Sequence, residues 1–386
     1  MDNISKEIVN RIMDNSYNYN INNEYNKEFA LNKEIRYPNL KAYIKSNMDS
    51  SSNEYDCDVS EYSITYYKLA WDFLEDGYIS NQQNYNKNNS KKEIKISATT
   101  FRGDTLNTMK SPFKYYIIMF CYEIYKSSQK NEDRKHLLTT FDNIKLCWGK
   151  DKTIDELFNE AAKDEQKFHD FVESIGMMRY KIEKLIENSN CGTIFDEIFS
   201  EKNLEKIQYS KEIIDQFEIF ASLSATIGNQ FPCPLYFNSE RSNYGKHEYP
   251  DLLLEAIYNY YNSSEINEKR SALAKLFISK NIEATEVKSI NHCYNWLSYF
   301  KDWNSFVVKN FFQDFVEYDN IKKCFGRPKV LWEVNNKEHS LDNLNLPETG
   351  KQFIEYLKSI NTGIIKRGER IKEKAILRIK KLNLNQ

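Results

Sequence analysis

Residues 210–234 read SKEIIDQFEIFASLSATIGNQFPCP. Ile213, Phe217, Phe220 and Leu223 recur at spacings of three and four, which puts them on one face of an α-helix, and Ser210 is a residue type suited to cap its start. Gly228-Asn229 closes the helical run. Pro232 and Pro234, on either side of Cys233, then restrict the backbone and remove amide donors. The helical period gives way here to a polar, aromatic insert dense in Pro and Gly, residues 224–255. Inserts of this kind between packed helices are where binding and catalytic groups usually sit.

The same period extends in both directions. Upstream, Tyr62, Tyr66, Leu69, Ala70 and Phe73 predict a helix over Ser60–Leu74. Thr153-Ile154-Asp155-Glu156 fits a capping box ahead of a helical pattern through Phe168, Phe171, Val172, Ile175, Ile182, Leu185 and Ile186, which ends near Cys191-Gly192. Downstream, Pro250 suits the first turn of a helix continued by Leu253, Ile257, Tyr258 and Tyr261. Further helices are predicted over about 268–280, 289–300 and 303–316. A last one runs from Leu357 towards Leu382, with Ile364, Gly368, Ile371, Ala375, Ile379 and Leu382 on one face. Ile94 and Ile96 alternate with lysines and predict one short strand before Thr99, after the almost purely polar stretch Asn81–Lys92.

The predicted fold is therefore mainly α. It is a single compact multi-helix domain over 51–386 with a short β element, preceded by a polar, partly irregular extension over 1–50 and ending in a basic helix. The 386 residues are 40% hydrophobic and 14% aromatic, enough for a substantial core, and no repeat or Pro/Ser linker divides them. A net charge of −2 argues against a protein that binds nucleic acid through its overall charge.

Cys57, Cys121, Cys147, Cys191, Cys233, Cys293 and Cys324 are odd in number and form no CxxC pair, so neither a disulfide framework nor a structural zinc site is expected. The longest apolar run, Tyr115 to Tyr122, is too short to span a bilayer, and the N-terminus lacks a basic-then-apolar leader. A cytoplasmic protein with no membrane partner is expected.

Several phrases resemble a family of bacterial conserved hypothetical proteins that carries no established activity. They are Tyr66-Tyr67-Lys68-Leu69-Ala70-Trp71, Phe101-Arg102-Gly103-Asp104-Thr105-Leu106-Asn107-Thr108, and Thr226-Ile227-Gly228-Asn229 with Pro232 and Pro234. Asn238, Asp251-Leu252, Trp303-Asn304-Ser305-Phe306-Val307, Gln313-Asp314-Phe315 and Arg367-Gly368-Glu369-Arg370 continue the resemblance. It spans roughly residues 55–372, which implies one domain, and points to the location of a site rather than to a reaction.

Arg102, Asp104 and Asn107 follow the predicted strand, where Arg102 can meet a phosphate or carboxylate. Asp104 and Thr105 can equally cap the next helix while Arg102 pairs with a structural carboxylate. The insert supplies Asn229, Asn238, Arg241, Asn243, Lys246, His247 and Asp251, with Tyr236 and Tyr244. Cations, amides and aromatics together can stack a base and hold a phosphate. A plain solvated loop has the same composition.

Arg241 and His247, separated by five residues, resemble the Arg-x(4–6)-His motif of HEPN-type ribonucleases, which are all-helical, metal-independent and often found in antiphage and toxin systems. That resemblance implies a histidine that shuttles a proton and an arginine that stabilises the charged transition state. A pocket is expected where Arg102–Asn107 meets Gly228–Asp251, helped by Asp302, Trp303, Gln313 and Asp314.

Other chemistries find no support. His136, His169, His292 and His339 lack carboxylates at metal spacing, and no HExxH, GxxxxGK[ST], GxGxxG or GxSxG occurs, so no metal or cofactor is expected. Glu93 and Lys95 only mimic part of a metal-dependent nuclease motif. Lys366–Lys381 carries eight basic and two acidic residues opposite an apolar stripe, and that stripe is expected to dock on the protein's own core with the lysines in water. The expected function is that of a nucleotide- or RNA-directed protein. The alternative is a non-catalytic protein that recognises a protein partner through residues 229–251.

Overall fold

A computed structural model describes residues 67–71, 101–106, 210–224, 226–234, 237, 250–277, 288–331, 333–334, 337–338, 340–341 and 350–383. These are mainly helical, with small antiparallel ribbons. In chain order the elements are β1 (Phe101–Thr105), α1 (Ser210–Leu223), β2 (Gln230–Pro234), α2 (Pro250–Asn262), α3 (Ile266–Phe277), α4 (Lys288–Leu297) and α5 (Trp303–Lys309). They continue with β3 (Val316–Asp319), β4 (Cys324–Pro328), β5 (Glu333–Val334), β6 (Lys337–Glu338) and α6 (Gly350–Asn383). Residues 67–70 are also helical, inside the helix predicted over Ser60–Leu74. The capping box at Thr153, the helix behind it, and the strand predicted at Ile94–Ile96 lie outside the described residues.

The 34-residue helix α6 organises the described core. Phe353, Leu357, Ile360, Ile364, Arg367, Ile371, Ala375 and Ile379 recur at spacings of three and four, and all are buried. This face packs along α1, whose Ile213, Phe217 and Phe220 are fully buried. It also covers two single-turn 3₁₀ segments, Ile227–Asn229 and Gln313–Phe315. Polar links fix the register of the pair: Asn361 Nδ2 donates to Gln216 O (3.0 Å), and Lys358 Nζ to Glu212 Oε1 (2.6 Å). Lys366, Lys380 and Lys381 are exposed, as expected, but Lys372, expected in water with them, is buried. α6 begins at Gly350, seven residues earlier than its predicted start.

Helices α2, α3 and α4 pack in succession, α2 against α3 and α3 against α4. Phe306 of α5 centres an aromatic cluster. It stacks on Trp303 (5.9 Å between centroids) and Phe312 (5.7 Å), and meets Trp296 and Phe300 edge-on.

The sequence pattern predicts one helix over 303–316; the structure ends it at Lys309. Phe311 takes φ 61°, a left-handed conformation usually left to glycine. Phe312 N donates to Val307 O (2.9 Å) and Phe311 N to Val308 O (3.3 Å), which is the Schellman pattern, with Phe312 stacked back on Phe306. The chain then forms the β3–β4 hairpin. The short β element of the sequence reading is thus three two-stranded ribbons among the described residues: β1–β2, β3–β4 and β5–β6.

Candidate functional site

The β1–β2 ribbon joins the two segments singled out in the sequence. Its antiparallel register sets Arg102 opposite Cys233, Gly103 opposite Pro232, Asp104 opposite Phe231 and Thr105 opposite Gln230. Past the end of the ladder, Leu106 N donates to Asn229 O (2.6 Å). Residues 101–105, read as the segment after a strand, are themselves the strand.

Two residues seat this ribbon on α6. The first is Gly228. A Cβ there would stand 2.2 Å from Ile364 O and 3.1 Å from Gly368 N, both backbone atoms of the helix. Only a residue without a side chain allows the turn to lie this close. The second is Arg367, one turn further along α6 and 0% exposed. Its Nη1 donates to Gly228 O (2.8 Å) and Gln230 O (2.6 Å), and its Nε to Asn310 O (3.2 Å). One guanidinium therefore serves carbonyls of the 3₁₀ turn, of β2 and of the α5 C-terminus. Its faces are covered by Phe312, with Cζ 4.8 Å from the ring centroid, and by Trp71, at 5.9 Å. Burial pushes the guanidinium down to about 9, while the nearby Tyr67 hydroxyl pulls it back up, so it keeps its charge at neutral pH.

Phe311 sits beside this centre, with its ring edge-on to Trp71 at 5.2 Å. A bulky residue held in a left-handed conformation stores strain of about 1–3 kcal/mol, and such strain clusters at functional positions. Here it turns the chain so that Asn310 O faces Arg367.

The residues named from the sequence fall into three groups. Arg102 and Asp104 are placed as backbone positions of β1. Asn229 and Asp251 are turned into the protein, 0% and 6% exposed. Asn229 Nδ2 donates to Ser224 O (2.8 Å), its N–H to Thr226 O (2.9 Å), and its carbonyl receives Leu106. Asn107, Asn238, Arg241, Asn243, Lys246 and His247 lie outside the described residues.

The supporting residues all have local tasks. Asp302 Oδ1 caps α5 by accepting from Ser305 N (2.8 Å), and Trp303 Nε1 donates to Gly326 O (2.8 Å), tying α5 to β4. Asp314 pairs with Arg370 (2.9 Å), a hydrogen bond that holds the Arg370 guanidinium above its ordinary value. Gln313 stands beside that pair in the 3₁₀ turn. Sequence reading missed Arg367, Trp71 and Asn310 as members of one centre. The signal for Arg367 was present, since it occupies an apolar-stripe position between Ile364 and Ile371.

Among the described residues no three His, Cys, Asp or Glu stand together to hold a metal ion, and no helix is long and apolar enough to cross a membrane. No protein-family model, curated protein or solved structure matches the chain.

Proposed function

We propose that the chain is a nucleotide- or RNA-directed protein whose site is assembled on the β1–β2 ribbon. The observation that supports this reading is the ribbon's register. It brings Arg102 and Asp104 alongside Phe231–Cys233, the strand that leads into the segment bearing Asn238, Arg241, Asn243, Lys246 and His247. In this reading Arg102, Arg241 and Lys246 supply the cations that phosphate recognition requires. In the catalytic form of the reading, His247 takes and returns a proton at the 2′-hydroxyl and leaving oxygen, and Arg241 stabilises the negative charge that builds on phosphorus.

The test is cleavage of end-labelled RNA by the purified full-length chain in EDTA. His247→Ala and Arg241→Ala should each abolish cleavage and leave the melting temperature unchanged. Undiminished cleavage by both variants would sink the catalytic form.

A second reading is favoured by a specific observation. Asn229 and Asp251, at the two ends of residues 229–251, are buried, which suits residues that hold the ends of a recognition segment. In that reading residues 229–251 recognise a protein partner without chemistry. A complex recovered from the native host and insensitive to His247→Ala would favour it over the first.

A further inference from the structure

The β3–β4 hairpin is fixed at its base and carries an apolar residue in water at its tip. Trp303 Nε1 donates to Gly326 O (2.8 Å) and Phe325 N donates to Asn304 Oδ1 (2.7 Å), so two side chains of α5 hold β4. Lys329 N donates to Phe315 O (2.9 Å) where the ribbon closes. At the other end Ile321 is 93% exposed, more than any other large apolar side chain among the described residues.

The tip is also basic. Lys322 and Lys323 follow Ile321 and are exposed, the Lys322 side chain to 77%. The acidic neighbours are committed elsewhere. Asp319 accepts from the Ile321 amide (2.9 Å) and the Lys322 amide (3.0 Å), and Glu317 lies 3.6 Å from Arg327. Lys322 Nζ stands 3.9 Å from Asp319 Oδ2, a loose surface pair of little energy. Lys323 takes φ 52°, where glycine or asparagine is the usual residue, so the turn alone does not select a lysine there. Below the loop, Tyr318 and Phe325 stand opposite each other on one face of the ribbon, 5.2 Å between centroids.

We infer that the β3–β4 hairpin is an arm that inserts Ile321 into one step of a base-paired RNA, with Lys322 and Lys323 on the flanking phosphates. This adds a second contact to the RNA-directed reading above and rests on it. Minor-groove proteins use apolar wedges in this way, the added contacts offsetting the cost of unstacking. The minor groove of an RNA helix is wide and shallow, open to a projecting ribbon. The side chains choose the occupant. A single strand is held by successive exposed rings, and among the described residues the large exposed apolar side chains include one aromatic, Tyr318. A bilayer surface is held by a broad apolar face, and here the apolar tip is one residue. One wedge with adjoining cations fits one opened step, and a bulge in the RNA helix supplies that step at least cost.

The experiment uses the full-length chain and a bulged duplex RNA with a fluorescent adenine analogue beside the bulge, a base that brightens when it leaves the stack. Its sugars are 2′-fluoro, which keeps the helix form and removes the hydroxyl through which cleavage would proceed. Binding is followed over a series of salt concentrations. The wild type should bind and brighten the probe, and Ile321→Ala should bind without brightening it. Lys322→Gln combined with Lys323→Gln should lower the slope of log K against log salt by about two, one for each phosphate contact. All these side chains lie in water, so Tm should not move. Wild-type brightening and slope in every variant overturn the inference and leave the RNA reading standing. No binding of RNA by the wild type ends that reading and the arm with it. Binding to phosphatidylserine vesicles that Ile321→Ala loses, with no brightening of the RNA, assigns the tip to a lipid surface and overturns the RNA arm.

Discussion

Arg367 does at residue scale what a longer stretch of secondary structure would do elsewhere. Three carbonyls from three segments meet one side chain because Gly228 lets the 3₁₀ turn approach α6 and because Phe311 turns the chain after α5. Replacing Arg367 by Met keeps much of the volume and strands Gly228 O, Gln230 O and Asn310 O without a donor. A buried acceptor left unsatisfied costs about 1–3 kcal/mol. Even with relaxation, Arg367→Met should therefore lower unfolding free energy by about 3 kcal/mol, read from urea denaturation; a loss under about 0.5 kcal/mol, as for an ordinary surface change, would mean the centre is not structural. The position of Arg367 on the apolar stripe was legible from spacing alone. Its partners were not, because backbone carbonyls carry no sequence identity.

At the scale of elements, the helices were legible and the hairpins were not. Ile213, Phe217, Phe220 and Leu223 repeat at the period of a helix and are buried as that period requires. The turn and 3₁₀ segment over 310–315 read as a continuation of α5 because Phe311, Phe312 and Phe315 prolong its apolar run, and the β3–β4 hairpin beyond them is not predicted. What stops α5 is the left-handed turn at Phe311, a conformation for which phenylalanine gives no signal.

The hairpin's own turn carries a clearer device. The Asp319 carboxylate accepts from Lys322 N (3.0 Å) and Ile321 N (2.9 Å), and the Lys322 amide, followed by the Ile321 amide, holds it below the usual aspartate value. A depressed folded value means the carboxylate's contribution is present above the ordinary aspartate range and is lost as pH falls through the folded value. An NMR titration should find Asp319 titrating below a model peptide, with the Ile321 and Lys322 amide shifts following it. In Asp319→Asn those amide shifts should not move over the same acidic range. A normal Asp319 midpoint would refute the turn geometry.

Across the whole molecule, α6 is the common partner of α1 and of the 3₁₀ turns that flank the α1–β2 and α5–β3 connections. Leu106 bonds the carbonyl of Asn229, and Arg367 bonds the carbonyls of Gly228 and Gln230 on either side of it, so three segments far apart in sequence meet at one turn. A chain ending at residue 363 keeps only the first part of α6, Gly350 to Gly363, and loses Arg367. Hydrogen exchange followed by mass spectrometry should then show the Leu106 amide unprotected, while the α2–α3 pair keeps its protection. Unchanged protection at Leu106 would mean that the ribbon stands without the helix. By itself the sequence determined that the described chain is mainly helical, which faces of α1, α2 and α6 are buried, and which two segments carry the polar groups of a candidate site. Those features follow from period and local residue type, which a single chain displays directly. Only the tertiary structure decided that these segments pair as a ribbon, that Asn229 and Asp251 face inward, and that a basic residue of a basic helix lies at the centre of the core. Each of those depends on which backbone groups lack a partner after the helices pack, a quantity that exists only once distant parts of the chain are together.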